Sequence, residues 1–348
     1  MSIYIPMNGK KQVKSIFANV DGESRKIVAT YGKVGDQIAG LFEEADKQFD
    51  QFVCVGYNGA SYYSPDGFNW TAMSGLDSGY NYTSVCYGKG RFVCVGDDGL
   101  SYYSTDGKTW KPMTGLNTAD SYYGVCYGGD RFVAVGALGM AYYSTDGKTW
   151  KAMSGLDTTK TFYSVCFSGE RFVCVGTSGK SYYSLDGETW KAMSGLNANY
   201  SYWSVTYGNG MFVCVGAGNS SSPTSYYSTD GQTWYSTAGL NTSYTYCSIA
   251  YGLVNGSGRF MCGGNSNKSA HYSSNGTRWY ATGNFSQSAV CYGMCYGKDM
   301  FLAAFTTMTS GVIDGGMLNY CTDGTTWKDV TTQGAFSDTN GLRSICYG

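Results

Sequence analysis

The side chains best suited to chemistry recur in one arrangement: a hydroxyl, a carboxylate two residues on, glycine directly after it, and tryptophan four residues past the carboxylate, as in Ser104, Asp106, Gly107 and Trp110. Six aspartates hold the acidic position, Asp66, Asp106, Asp146, Asp186, Asp230 and Asp323, and Asn275 holds it in a further copy. The closing tryptophans are Trp70, Trp110, Trp150, Trp190, Trp234, Trp279 and Trp327. Carboxylates can act as acids and bases, ligate calcium or clamp turns. Calcium takes about six to eight oxygens, and one carboxylate per copy supplies too few. Glycoside hydrolysis needs two carboxyl groups across one cleft, which equivalent positions in separate copies do not provide. At a hairpin tip, aspartate accepts backbone N–H groups two positions on, glycine takes a positive φ, and tryptophan wedges between neighbouring elements. The repeated set therefore reads as a structural clamp.

Other chemistry is sparse. His271 is the only histidine and takes a place where other copies carry tyrosine, and no His, Cys, Asp and Glu set has metal-site spacing. Arg91, Arg131, Arg171 and Arg259 are repeat positions at the beginnings of strands rather than a converging triad. No catalytic residue, metal or cofactor is expected.

The elements that position these residues follow from the period. The closing tryptophans stand 40, 40, 40, 44, 45 and 48 residues apart, and seven copies at this spacing suit a ring of small sheets. Each copy has four short apolar segments, such as "SYYGVCYG", "RFVAVG", "AYYS" and "TWKAM" between Ser121 and Met153. Glycine turns separate them, so neighbours should pair antiparallel, as strands A to D from the axis outward. In "RFVCVG", Arg171 to Gly176, both faces are apolar, which requires cover on both sides. The repeats open at Gln51 with a B segment and close at Gly348 with an A segment, so pairing the two completes the first blade. The fold class expected is all-β: a seven-bladed β-propeller of four-stranded antiparallel blades over residues 50–348, preceded by a β-rich attachment segment over 1–49.

Composition narrows the functions. Lys and Arg number 24 against 25 Asp and Glu, with no long basic run past the N-terminal region, so nucleic acid is excluded as a partner. No charged leader precedes an apolar run, and no stretch nears the roughly 20 apolar residues of a membrane span. The 13 cysteines sit in apolar runs such as "FVCVG", and they read as buried free thiols of a protein assembled in a reducing cytoplasm.

On Ser104, Asp106, Gly107, Thr109 and Trp110 and their counterparts, the copies resemble the Asp-box, or BNR, repeat of sialidase-like β-propellers, although Asp and Gly are adjacent here and one residue apart there. That resemblance implies a propeller whose boxes are structural and lie away from any active site. The segment "VKSIFANVDGESRKI" resembles a short repeat of bacteriophage tail-associated proteins, with Val13, Lys14, Ile16, Val20, Gly22, Arg25, Lys26 and Ile27 matching and Phe17 in place of tyrosine. It echoes itself 14 residues on, "SIFANVDGESRKIV" aligning with "ATYGKVGDQIAGLF". This resemblance implies a virion tail or fibre component whose residues 1–49 contact other virion proteins.

A ligand surface is sought where loops vary while strands stay fixed. The D-to-A and B-to-C connections share one face of the disc, and they mix rings with small hydroxyl and amide groups, which suit a glycan or a protein receptor. Tyr80, Tyr122, Tyr200, Trp203, Tyr244, Asn219 and Asp314 form the candidate patch. The reading is a non-enzymatic virion protein that binds a host receptor. A purely structural virion role is the alternative, and a glycosidase is a third reading.

Overall fold

The computed structural model describes residues 16–20, 23–34, 37–43, 49–217, 224–265, 270–283, 285, 289–309, 312–330 and 340–348, with backbone alone over 16–43 and at 309 and 314. The chain divides into two compact units, Met1–Gln48 and Phe49–Gly348. In the first, Ile16–Val20, Glu23–Val34 and Gln37–Glu43 form an antiparallel three-stranded sheet. Val20 stands opposite Glu23 and Val34 opposite Gln37, so the sequence echo spans two successive strand pairs. Val13, Lys14 and Gly22 of the tail-repeat resemblance lie outside the described residues.

The second unit is a seven-bladed β-propeller of four-stranded antiparallel blades. Blade 3 shows the plan, with strands A to D at Tyr122–Gly128, Arg131–Gly136, Ala141–Ser144 and Lys151–Ala152. Leu342–Tyr347 supplies strand A of blade 1 by pairing antiparallel with Phe52–Gly56, Ile345 opposite Cys54. Gln51 and Gly348 exchange backbone N–H···O bonds at 3.0 and 3.1 Å, which seals the junction.

Period-2 alternation in strand B drives the ring to close. Phe132 and Ala134 pack against Val93 and Val95 of the preceding blade, while Val133 and Val135 pack against Phe172 and Cys174 of the next. Every B strand is thus a core strand on both faces, and each buried phenylalanine contributes about 1.5–3 kcal/mol by leaving water. All thirteen cysteines are free thiols. Burial is the main reason that those along strands A and B titrate well above an ordinary thiol.

The aspartate turns clamp as their chemistry dictates. Asp106 Oδ1 accepts the N–H groups of Lys108 and Thr109, both at 2.8 Å, and the Ser104 hydroxyl donates to it at 2.8 Å while accepting the Gly107 N–H. The same bonds recur around Asp66, Asp146, Asp186 and Asp230, and Asn275 reproduces them with an amide oxygen. At Asp323 the leading hydroxyl is replaced by Cys321, whose Sγ lies 3.4 Å from Oδ1. Trp150 sits in the joint between blades 2 and 3, 3% exposed, with its indole N–H 3.0 Å from Met113 Sδ. Beside it the backbone bridges blades directly, Thr114 pairing in parallel with Thr149.

Candidate functional site

Strand A is the innermost strand, and all seven copies carry the same irregularity. In blade 3, Tyr122 pairs with Gly136 and Gly124 with Val135, so Tyr123 is an extra, unpaired residue, and the register breaks at the equivalent place in the other blades. A bulge of this kind re-aims one side chain. The bulge residues are Thr83, Tyr123, Tyr163, Trp203, Cys247, Tyr292 and Arg343, and together they line one cavity of about 480 Å³. The cavity touches strand A of every blade and is therefore axial, and its bulges sit at the strand ends nearest the D-to-A connections.

Four of the seven bulge residues carry aromatic rings. Tyr163 and Trp203 lie nearly face to face, 4.2 Å between centroids and 33° apart, and Tyr123 stands 5.6 Å from Tyr163. On the other side Tyr292 meets the Tyr57 ring at 6.2 Å, and the Arg343 guanidinium lies 5.1 Å from the Tyr57 centroid and 5.5 Å from that of Tyr292. The Trp203 indole N–H is buried without a hydrogen-bond partner among the described residues. Burial pushes the Tyr292 hydroxyl up to about 12 and the Cys247 thiol up to about 12, and the Arg343 charge pulls both partway back. No carboxylate lines the cavity among the described residues.

In four blades the serine after the bulge ties the mouth to the next blade. Ser344 Oγ accepts the Val85 N–H at 3.1 Å, Ser84 that of Val125 at 3.1 Å, Ser164 that of Val205 at 3.2 Å and Ser204 that of Ile249 at 3.3 Å, each across a blade boundary. Gly124 and Gly293 take this place in two blades, where a side chain would meet the backbone of the next blade at about 3 Å. Rings fixed in this way lose little freedom when a ligand binds.

The residues singled out in the sequence are scattered. Trp203 lines the cavity. Tyr122 is a correction: it is fully buried in the joint between blades 2 and 3, and its hydroxyl accepts the Asn117 N–H at 2.9 Å, so it is no surface contact. Tyr82, Tyr202 and Tyr246 repeat this arrangement, each hydroxyl accepting an N–H five residues upstream. Tyr80 is exposed, and its carbonyl accepts the Gly59 N–H at 2.6 Å. Tyr200 and Tyr244 are half-buried against the blade joints, and none of these three tyrosines lines the cavity. Asn219 and the Asp314 side chain lie outside the described residues. Tyr123, Tyr163, Tyr292 and Arg343 were missed, although each falls at one fixed place in its repeat, two residues before the buried apolar residue of strand A at Val125, Val165, Met294 or Ile345.

Elsewhere, Arg131 pairs with Glu188 at 2.7 Å, and Arg91, Arg171 and Arg259 donate to carbonyls in the aspartate turn of the next blade. These arginines strap blades together on the face away from the bulges. His271 is 8% exposed against the Tyr246 ring, and burial lowers its pKa to about 4. No group of three or more His, Cys, Asp or Glu among the described residues could hold a metal ion, and no helix there is long and apolar enough to cross a membrane.

This architecture defines a β-propeller domain protein. The chain belongs to the DUF6242 beta propeller domain family, whose model matches residues 51–284. No curated protein matches it. Among solved structures it is similar to YCF48 bound to D1 peptide, at 18% identity and a TM-score of 0.54 over 72% of this chain and 82% of that one. YCF48 from Cyanidioschyzon merolae is 16% identical with a TM-score of 0.53 over 76% and 95%, and U3-55K is 11% identical with a TM-score of 0.53 over 73% and 88%. At these identities the likeness is one of fold.

Proposed function

We propose that the protein is a non-enzymatic recognition module of a bacteriophage tail or fibre, and that the axial mouth receives a host cell-surface glycan. The observation that carries the reading is the ring of bulge residues, which turns Tyr123, Tyr163, Trp203 and Tyr292 toward one cavity of about 480 Å³. Flat rings beside serine hydroxyls match the apolar faces and hydroxyl edges of pyranoses. A cavity without lining carboxylates among the described residues favours binding over glycoside hydrolysis. The Asp-box resemblance supports a scaffold role for the aspartate turns. The N-terminal likeness to tail-associated repeats supports the virion setting, with residues 1–49 as the contact to other tail proteins.

The test is binding to an array of bacterial surface polysaccharides, with Trp203→Ala as the variant. Loss of a stacking face should weaken binding about fivefold or more, with a single cooperative melting transition retained. Undiminished binding by the variant would remove the axial mouth from the recognition surface. Absence of the protein from purified tails would remove the virion setting, and tails whose adsorption survives its loss would favour a purely structural role.

A further inference from the structure

We infer that Arg343 makes the axial mouth selective for a carboxylate-bearing saccharide, a uronate rather than a neutral sugar, with its guanidinium as the specificity-determining group. The inference rests on the axial mouth being the glycan site and adds the chemistry it selects. Arg343 is the one formally charged side chain lining the cavity among the described residues, and no described acid pairs with it. Its only described contacts are the Tyr57 and Tyr292 rings. Ring contacts of this kind hold the plane of a guanidinium while leaving its N–H edge open.

A partly buried cation without a counter-ion among the described residues is a recognition element in waiting. Arginine offers a fork of N–H donors that fits a planar carboxylate with two parallel bonds. The remaining partners line the opposite side of the same cavity. Tyr163 and Trp203, stacked at 4.2 Å, present flat apolar surface for the face of a pyranose, and the Arg343 charge is felt as far as the Tyr163 hydroxyl. Six blades place Thr, Tyr, Trp or Cys at the bulge and one places Arg, so the ring has a charged side and an apolar side. A ligand with an anionic edge and an apolar face matches this asymmetry, whereas a neutral sugar would leave the guanidinium without a partner.

The test uses the full chain with two probe pairs, oligogalacturonate with its carboxyl-reduced galactose counterpart and oligoglucuronate with its glucose counterpart, titrated into wild type, Arg343→Gln, Arg343→Lys and Trp203→Ala. Wild type should bind the acid member of at least one pair about tenfold or more tighter than the neutral member, as expected for a hydrogen bond to a charged group. Arg343→Gln should bring acid and neutral to equal affinity with unchanged melting, and Arg343→Lys should keep part of the preference. Trp203→Ala should weaken both members together. Equal affinities in wild type overturn the inference and leave the axial mouth as a neutral-glycan site, and a preference that survives Arg343→Gln overturns the role of the guanidinium. Binding of neither member of either pair overturns it too. A carboxy-terminal peptide bound in their place, and lost in both Trp203→Ala and Arg343→Gln, would overturn the glycan reading as well.

Discussion

At the scale of single residues, the aspartate turns and their tryptophans do work that is local in sequence but visible in stability. Burial raises the Asp66 carboxyl, but the N–H groups of Asn69 and Phe68, the Asn69 amide and the Ser64 hydroxyl outweigh it and hold the pKa at about 2. Asp106, Asp146, Asp186, Asp230 and Asp323 are lowered in the same way. A carboxylate whose folded pKa lies below the unfolded value of about 3.9 contributes stability above that value and loses it as pH falls through the folded pKa. Urea titrations should therefore show stability falling between about pH 4 and pH 2, and Asp146→Asn together with Asp186→Asn should flatten that slope. Trp150→Ala removes a 3%-exposed indole from a blade joint and should cost about 3–5 kcal/mol. An unmoved melting midpoint would contradict its placement.

At the scale of elements, the joint between strand B and the incoming connection is as tight as a polypeptide permits. Gly176 ends strand B of blade 4 in extended backbone, and a Cβ there would stand 2.1 Å from the Thr161 carbonyl oxygen, the same oxygen that accepts the Thr177 N–H at 2.9 Å. Gly176→Ala must push the connection away and should destabilise by about 1–3 kcal/mol. Chemical denaturation of the variant checks this. The equivalent glycines Gly56, Gly96, Gly136, Gly216 and Gly264 face a carbonyl at a similar distance, which is why the B strands of blades 1 to 6 close on "VG" or "GG". Strand order, turn chemistry and the two-faced B strand were legible in the sequence because each depends on neighbours within about ten residues. The destination of the connection tyrosines was not. Tyr122 and Tyr123 are adjacent letters, yet one is fully buried and the other lines the axis, and only the bulge between them decides which.

At the scale of the whole molecule, closure is the controlling event. Blade 1 takes strand A from Leu342–Tyr347 and its other strands from Phe52 onward, so the ring is shut by contacts between residues nearly three hundred positions apart. Truncation after Gly341 removes the strand A that carries Leu342 and Ile345 into the core of blade 1 and leaves the edge of Phe52–Gly56 unpaired. Calorimetry should show the single cooperative transition replaced by a broad or much lower one, and light scattering should show association through the exposed edge. A truncated chain melting like the full one would mean that the ring does not depend on this junction. Truncation also removes Arg343, which ties the selectivity of the axial mouth to the strand that closes the fold.

The amino-acid sequence by itself determined the number of blades, the order of strands within each, the clamp at every aspartate turn and the pairing that shuts the ring. Those features follow from repeat spacing, period-2 alternation and turn chemistry, all of which are local or cyclic and need no coordinates. Tertiary structure alone decided which side chains face the axis. A one-residue bulge reverses the alternation at the start of strand A, and convergence of Tyr123, Tyr163, Trp203, Tyr292 and Arg343 on one cavity exists only once seven separate strands stand around a common centre.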